Sequence, residues 1–186
     1  MSLHSRRLVL VSGMPGAGKT TLARPLAAAL GFPLVCKDDL KETLFEHLPA
    51  PENLDHLAWT RRLGGAATEV IWRLAATFPQ AVLENNFRPR SDYERAKLQA
   101  LDAAIVEVHC RCAAGEAIAR YNARGATPAR HGMHNPRIEP SDTDAFAAEF
   151  EGPIALFPVI EVDVMRPVDV PALAGDVERA FQALGH

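Results

Sequence analysis

A chain of 186 residues with 48% hydrophobic and 23% charged side chains suits one globular domain with a single sizeable core. Its net charge of −3, from 20 Lys and Arg against 23 Asp and Glu, argues against a partner such as long nucleic acid, which favours a basic face. No apolar run reaches the ~18 residues of a membrane span, and Met1–Arg7 leaves no room for a cleavable signal before the first strand, so a cytoplasmic protein without membrane contact is expected.

Short apolar runs alternate with longer helical patterns, which predicts an α/β fold with a parallel sheet. The first strand is expected at residues 7–12. A Gly-rich turn and a helix ending at Leu30 follow, with Gly31 as the stop. Residues 32–36 read as a second strand. Asp38 and Asp39 come next, before apolar Leu40, Leu44 and Phe45 at helical spacing, which predicts an N-cap by one of the two. A long helix is expected over residues 53–78. Gly64 and Gly65 in its middle suggest a kink or a close packing contact. Trp59 and Trp72 read as core or groove residues of this helix.

Residues 81–84 are expected to form the third strand. Ser91 then begins a helix, with Glu94 three positions on completing a capping box. The fourth strand is expected at 105–110 and a helix at 114–123. The Gly-, Pro-, Arg- and His-rich stretch up to residue 137 is no regular element. A short helix near 142–150, a fifth strand at 158–164 and a final helix capped by Asp169 complete the chain. The cysteines are Cys36, Cys110 and Cys112, an odd number without a paired framework, so reduced thiols are expected.

Residues 13–20 spell G-x-x-x-x-G-K-T between a predicted strand and a predicted helix, the context of a phosphate-binding P-loop. In such a loop the backbone of Gly13, Pro15, Gly16, Ala17, Gly18 and Thr21 surrounds phosphate oxygens at the positive end of a helix. Lys19 reaches the β- and γ-phosphates, and the Thr20 hydroxyl ligates Mg²⁺. Phosphoryl transfer to a hydroxyl also needs a carboxylate to take the proton and cations to neutralise the moving group. Asp38, at the end of the second strand, suits the first role. Glu84 ends the third strand, where an acidic group orients Mg²⁺ or its waters; being longer than the usual Asp, it is expected to act through water. Arg120 and Arg124 share a helix face and lead into a loop that carries Arg130 and Arg137. His131 and His134 lack the companions of a structural zinc site. No Asn-Lys-x-Asp guanine-specificity sequence occurs, so ATP is the expected nucleotide.

In order and spacing, Gly13–Thr21, Lys37–Lys41, Leu83–Pro89 and Arg120–Gly125 resemble the small P-loop kinases grouped with the phage polynucleotide kinase 5′-kinase domain, zeta toxin and chloramphenicol phosphotransferase. The resemblance spans about residues 6–184. It implies a single kinase domain over 1–186, three layers, and a five-stranded parallel sheet in the order 2-3-1-4-5. It also implies an Arg-bearing lid at about 124–137 and an acceptor-side helical region at 39–78. By position, Asp38 is similar to the general base, Lys41 falls where an Arg contacts the acceptor phosphate, Arg120 and Arg124 match the lid arginines, and Val164–Val168 matches the segment flanking adenine. Arg130 is expected at the acceptor. Two departures stand out: Lys41 replaces Arg and loses a two-pronged grip on phosphate, and Glu84 replaces Asp.

The leading expectation is an ATP- and Mg²⁺-dependent kinase acting on a hydroxyl of a small molecule. A polynucleotide 5′-hydroxyl kinase and a non-catalytic ATP-binding regulator are the alternatives. The acceptor and the oligomeric state are not legible.

Overall fold

The computed structural model describes residues 6–125, 131–132 and 137–185. Five strands, β1 (Arg7–Ser12), β2 (Leu34–Cys36), β3 (Gln80–Glu84), β4 (Ala104–Arg111) and β5 (Val159–Asp163), form one all-parallel sheet in the order β2-β3-β1-β4-β5. This is the expected order. Because the central strands are buried on both faces, Leu8 to Val11 and Ala81 to Leu83 are continuous apolar runs with no exposed area. Alternation then sorts them between two cores. Val9, Val11, Val82, Val106 and Val108 pack with Leu22 and Leu26 of α1 (Lys19–Leu30) and Val177 and Phe181 of α7 (Val170–Ala183). Leu8, Leu10, Leu83 and Ile105 pack on the other face with Ile71 and Trp72 of α3 (His56–Ala75) and Leu98 of α4 (Asp92–Gln99).

The remaining helices border the carboxyl edge of the sheet: α2 (Lys37–His47), α5 (Ala114–Gly125) and α6 (Thr143–Phe150), the last preceded by a 3-10 turn at Pro140–Asp142. None of the described helices is long and apolar enough to cross a membrane.

Local chemistry sets the helix ends. Gly31 ends α1 in the left-handed region at φ 67°, its N–H on the last carbonyls. Ser91, Asp55 and Asp169 each accept from the backbone N–H three positions on, as N-caps do. Two expectations need correction. Neither Asp38 nor Asp39 caps α2: the helix begins one residue earlier, its N-cap is Cys36, and both carboxylates lie in the first turn, where the helix dipole still favours them. The capping box at Ser91 is half formed. Glu94 does not return to the cap but accepts from the backbone N–H of Arg88 at 2.8 Å and from its guanidinium at 2.7 Å, a charge-assisted pair that outweighs the local one. At the middle of α3, Gly64 is a close packing contact with α2, since a Cβ there would stand 3.7 Å from Lys41 Cε, whereas Gly65 faces open space.

Candidate active site

All five strands run the same way, so their carboxyl ends present the loops that carry chemistry on one edge. There a cleft of about 1160 Å³ runs from the P-loop across α2 to α3 and is bounded on the far side by α5 and α6.

The P-loop follows β1 through three glycines with positive φ: 134° at Gly13, 91° at Gly16 and 94° at Gly18. Gly16 is also the point of closest approach to α5, because a Cβ would fall 2.0 Å from the Ala117 carbonyl oxygen. Gly16→Ala is therefore expected to cost about 3 kcal/mol or more in stability and to abolish tight ATP binding. Urea denaturation and a nucleotide titration check both effects. Gly18 is the N-cap of α1 and makes no side-chain cap, which leaves the first helical N–H groups directed at a ligand. Lys19 is 5% exposed and donates to the Met14 carbonyl at 2.9 Å. Burial pushes its ammonium below the usual lysine range, opposed by the charges of Glu84, Cys110 and Asp38.

Glu84, at the end of β3, is 4% exposed. Its Oε2 accepts from the Thr20 hydroxyl at 3.4 Å and from Cys36 Sγ at 2.8 Å. Burial pushes the carboxyl up, and Lys19 pulls it back down. Its Oε1 takes no hydrogen bond from a described residue. The Cys36 contact had no signal in the sequence beyond adjacency to the strand end.

The two aspartates separate cleanly. Asp39 accepts from one Nη of Arg24 at 2.9 and 3.1 Å and is an outward ion pair. Asp38 is half-buried, lines the cleft, and makes no hydrogen bond or ion pair with a described residue. Its charge is felt at Lys37, Lys19 and Glu84, so it lies near the P-loop. Lys41, on the same helix, is 7% exposed and lines the cleft.

Across the cleft, Arg124 and Arg137 line the wall. Arg120 does not: its Nε reaches back to Glu116 at 2.8 Å, and its charge lies near Cys112, whose sulfur is 3.6 Å from that of Met165. The two arginines thus share a helix but not a destination. Within the expected lid, Arg130 and His134 fall outside the described residues. The Asn122 amide exchanges two 2.9 Å hydrogen bonds with the backbone of Ile138. His131 lies against α2, 3.3 Å from Glu46 and edge-on to Phe45.

Beneath the P-loop is a buried network that sequence reading missed. Glu107 on β4 is fully buried and accepts from the Ser12 hydroxyl at 2.6 Å and from the N–H groups of Ile154 and Ala155, each at 3.0 Å. The single Ser12 proton is committed to the carboxylate, so His109 Nδ1, at 2.9 Å, is the donor to Ser12. Burial lowers the His109 pKa, which favours the neutral ring. A Glu inside an otherwise Val- and Ile-rich strand was the available signal.

All three thiols are free. Burial pushes Cys110 up to about 12 and also raises Cys36, while Cys112 is only half-buried. A short iodoacetamide pulse at pH 8 is expected to label Cys112 first, with Cys36 and Cys110 labelled on unfolding; peptide mass spectrometry reads the order.

A family model described as AAA domain matches residues 8–150. No curated protein matches the chain. Among solved structures, a chain from Chloroflexus aurantiacus described as a "putative kinase" is 27% identical, with a TM-score of 0.78 over 95% of this chain and 98% of that one. Shikimate kinase from Acinetobacter baumannii is 17% identical (TM-score 0.57, covering 97% and 96%), and Kti12 from Chaetomium thermophilum is 15% identical (0.60, covering 95% and 98%); these two share the fold. The P-loop, the 2-3-1-4-5 sheet and the match over residues 8–150 agree: the chain belongs to the AAA domain family and has the fold of the P-loop kinases.

Proposed function

We propose that the protein is an ATP-dependent phosphotransferase that moves the γ-phosphoryl group to a hydroxyl of a small molecule. The observation that carries this reading is one cleft lined by both the P-loop lysine and Asp38, whose carboxylate has no hydrogen-bond or ion-pair partner among the described residues, with further lining from α3 on the acceptor side. The triphosphate would lie along Gly16–Thr21, with the adenine beside Val164–Val168 as the family resemblance implies. Asp38 orients the acceptor hydroxyl and accepts its proton as the oxygen attacks the γ-phosphorus. The bond from the γ-phosphorus to the bridging oxygen breaks, and ADP leaves. Lys19, Arg124 and Arg137 neutralise charge on the phosphoryl oxygens in transit. An acceptor of this kind and a cytoplasmic supply of ATP fit together.

The donor set suits Mg²⁺. Thr20 and Glu84 bring oxygen ligands side by side, and among the described residues no group of three His, Cys, Asp or Glu could form a closed metal cage. Mg²⁺ commonly takes one or two protein oxygens and completes its shell with water and phosphate. Bound there, it supplies neutralisation of the β- and γ-phosphate charge. Glu84 Oε1, which takes no hydrogen bond from a described residue, would be the oxygen available to it or to its waters.

Incubation with γ-labelled ATP, Mg²⁺ and a panel of hydroxy compounds is expected to give a labelled ester. Lys19→Met is expected to lower that rate by about 10³-fold, the scale of losing one preorganised charge contact at the transferring group. ATP binding with neither transfer nor hydrolysis across the panel would replace this reading with that of a nucleotide-binding regulator.

A further inference from the structure

Glu84 stands where an Asp is usual, and the longer side chain puts one more rotatable bond between the strand and its charge. A carboxylate that must be frozen as a cation arrives binds it more weakly than one already held in place. Two donors hold this one. The Thr20 hydroxyl, at 3.4 Å, and Cys36 Sγ, at 2.8 Å, both reach Oε2. Together they fill the two acceptor sites of that oxygen, while Oε1 takes no hydrogen bond from a described residue. The Thr20 hydroxyl donates here with its proton, so its lone pairs stay available to a cation.

The sheet brings the thiol to this place. Cys36 ends β2, Glu84 ends β3, and the two are direct partners in the parallel register. Neighbouring strands lie about 4.8 Å apart, and paired residues point to the same face, so a short side chain at 36 meets the end of a longer one at 84. Cys36 is also the N-cap residue of α2 but makes no side-chain cap hydrogen bond, so its S–H is not spent on the helix. It is 3% exposed. Burial, and then the charge of Glu84, push the thiol above its usual range, which favours the protonated, donating form. Cys110 is buried as deeply, yet its thiol makes no hydrogen bond with a described residue.

We infer that Cys36 is a positioning residue for divalent-cation binding: by donating its thiol proton to Glu84 Oε2, it holds the carboxylate beside Thr20 with Oε1 free for the cation or its waters. This role rests on Mg²⁺ binding with the nucleotide at the P-loop, one half of the reading above, and not on transfer to any acceptor. Hydrogen-bond partners of metal-side carboxylates commonly set metal affinity by about 10–100-fold.

Calorimetric titration with β,γ-imido-ATP, once with excess Mg²⁺ and once with EDTA, tests the role without an acceptor. In the wild type Mg²⁺ is expected to tighten nucleotide binding. Cys36→Ala and Cys36→Val keep a small apolar side chain without a donor, and whichever of them folds by urea denaturation carries the test. Each should lose about tenfold or more of the Mg²⁺ enhancement, while its affinity in EDTA stays within about threefold of the wild type. Cys36→Ser returns a donor and should recover the enhancement to within about threefold, and Cys110→Ala, which removes an equally buried thiol, should leave it unchanged. Full enhancement in either apolar variant, a Ser variant as weak as Ala, or a loss as large in EDTA as in Mg²⁺ overturns the positioning role. Absence of Mg²⁺ enhancement in the wild type removes the cation site and the role together. The expected pattern without transfer to any hydroxy compound keeps the role and removes the kinase reading. Transfer by the wild type, with full enhancement in Cys36→Ala, does the reverse.

Discussion

Asp38→Asn is expected to bind ATP as the wild type does and to transfer its γ-phosphoryl group about 10²–10⁴-fold more slowly, the range of a lost general base. The two effects separate because Asp38 contributes to no described hydrogen bond or ion pair, so the amide replaces it without breaking a fold contact. The side chain keeps its size and place in the first turn of α2, and what changes is its capacity to take a proton. Its neighbour is the internal control. Asp39→Asn weakens an exposed pair with Arg24, worth up to about 1 kcal/mol, and should leave transfer within about twofold. Comparing kcat for both variants with their affinity for β,γ-imido-ATP checks the prediction. A rate for Asp38→Asn within about threefold of the wild type would mean that the acceptor proton leaves by another route.

Glu107→Ala is expected to cost about 3–5 kcal/mol of stability, a large share of the roughly 5–15 kcal/mol that holds a domain together. The carboxylate has no exposed area and accepts three hydrogen bonds. Removing it leaves the buried Ile154 N–H and the part-buried Ala155 N–H without their acceptor, and an unsatisfied buried donor costs about 1–3 kcal/mol. Ala155 adds to the sensitivity, because it holds a positive φ of 55° that a non-glycine residue adopts only under constraint. Ser12, released from Glu107, immediately precedes Gly13, so the base of the P-loop loosens with the loop after α6. Urea denaturation measures the loss. A change below about 1 kcal/mol would show that the carboxylate is replaced by water at no cost.

Much of the fold was legible because its signals are local. Continuous apolar runs marked the strands, Gly31 and Asp169 marked helix ends through their own backbone chemistry, and the P-loop spacing joined strand to helix. The strand order came from the resemblance, since ladder partners such as Leu10 and Glu107 are brought together only by the tertiary fold. The site was legible in part. Lys19, Thr20, Asp38, Lys41, Glu84 and Arg124 all line one cleft. What failed was the choice among polar partners. Asp38 and Asp39 look equivalent in sequence, but Arg24, fifteen residues earlier, claims one of them. Glu94 had a local cap available and took a charged partner instead. Arg120 and Arg124 share a face, yet Glu116 at i−4 draws the first away from the cleft. Cys36 and Ser12 carry no motif; their roles come from Glu84 and Glu107, which are distant in sequence and adjacent in space.

Phosphoryl transfer by this site requires the donor phosphate to be presented to Asp38. A crystal structure with β,γ-imido-ATP and Mg²⁺ tests it most directly. The γ-phosphate is expected against Lys19, with Asp38 facing it across a gap that admits one hydroxyl oxygen about 3–3.5 Å from phosphorus and within hydrogen-bond reach of the carboxylate. A γ-phosphate directed away from α2, or an Asp38 carboxylate turned from the cleft and paired elsewhere, would contradict it.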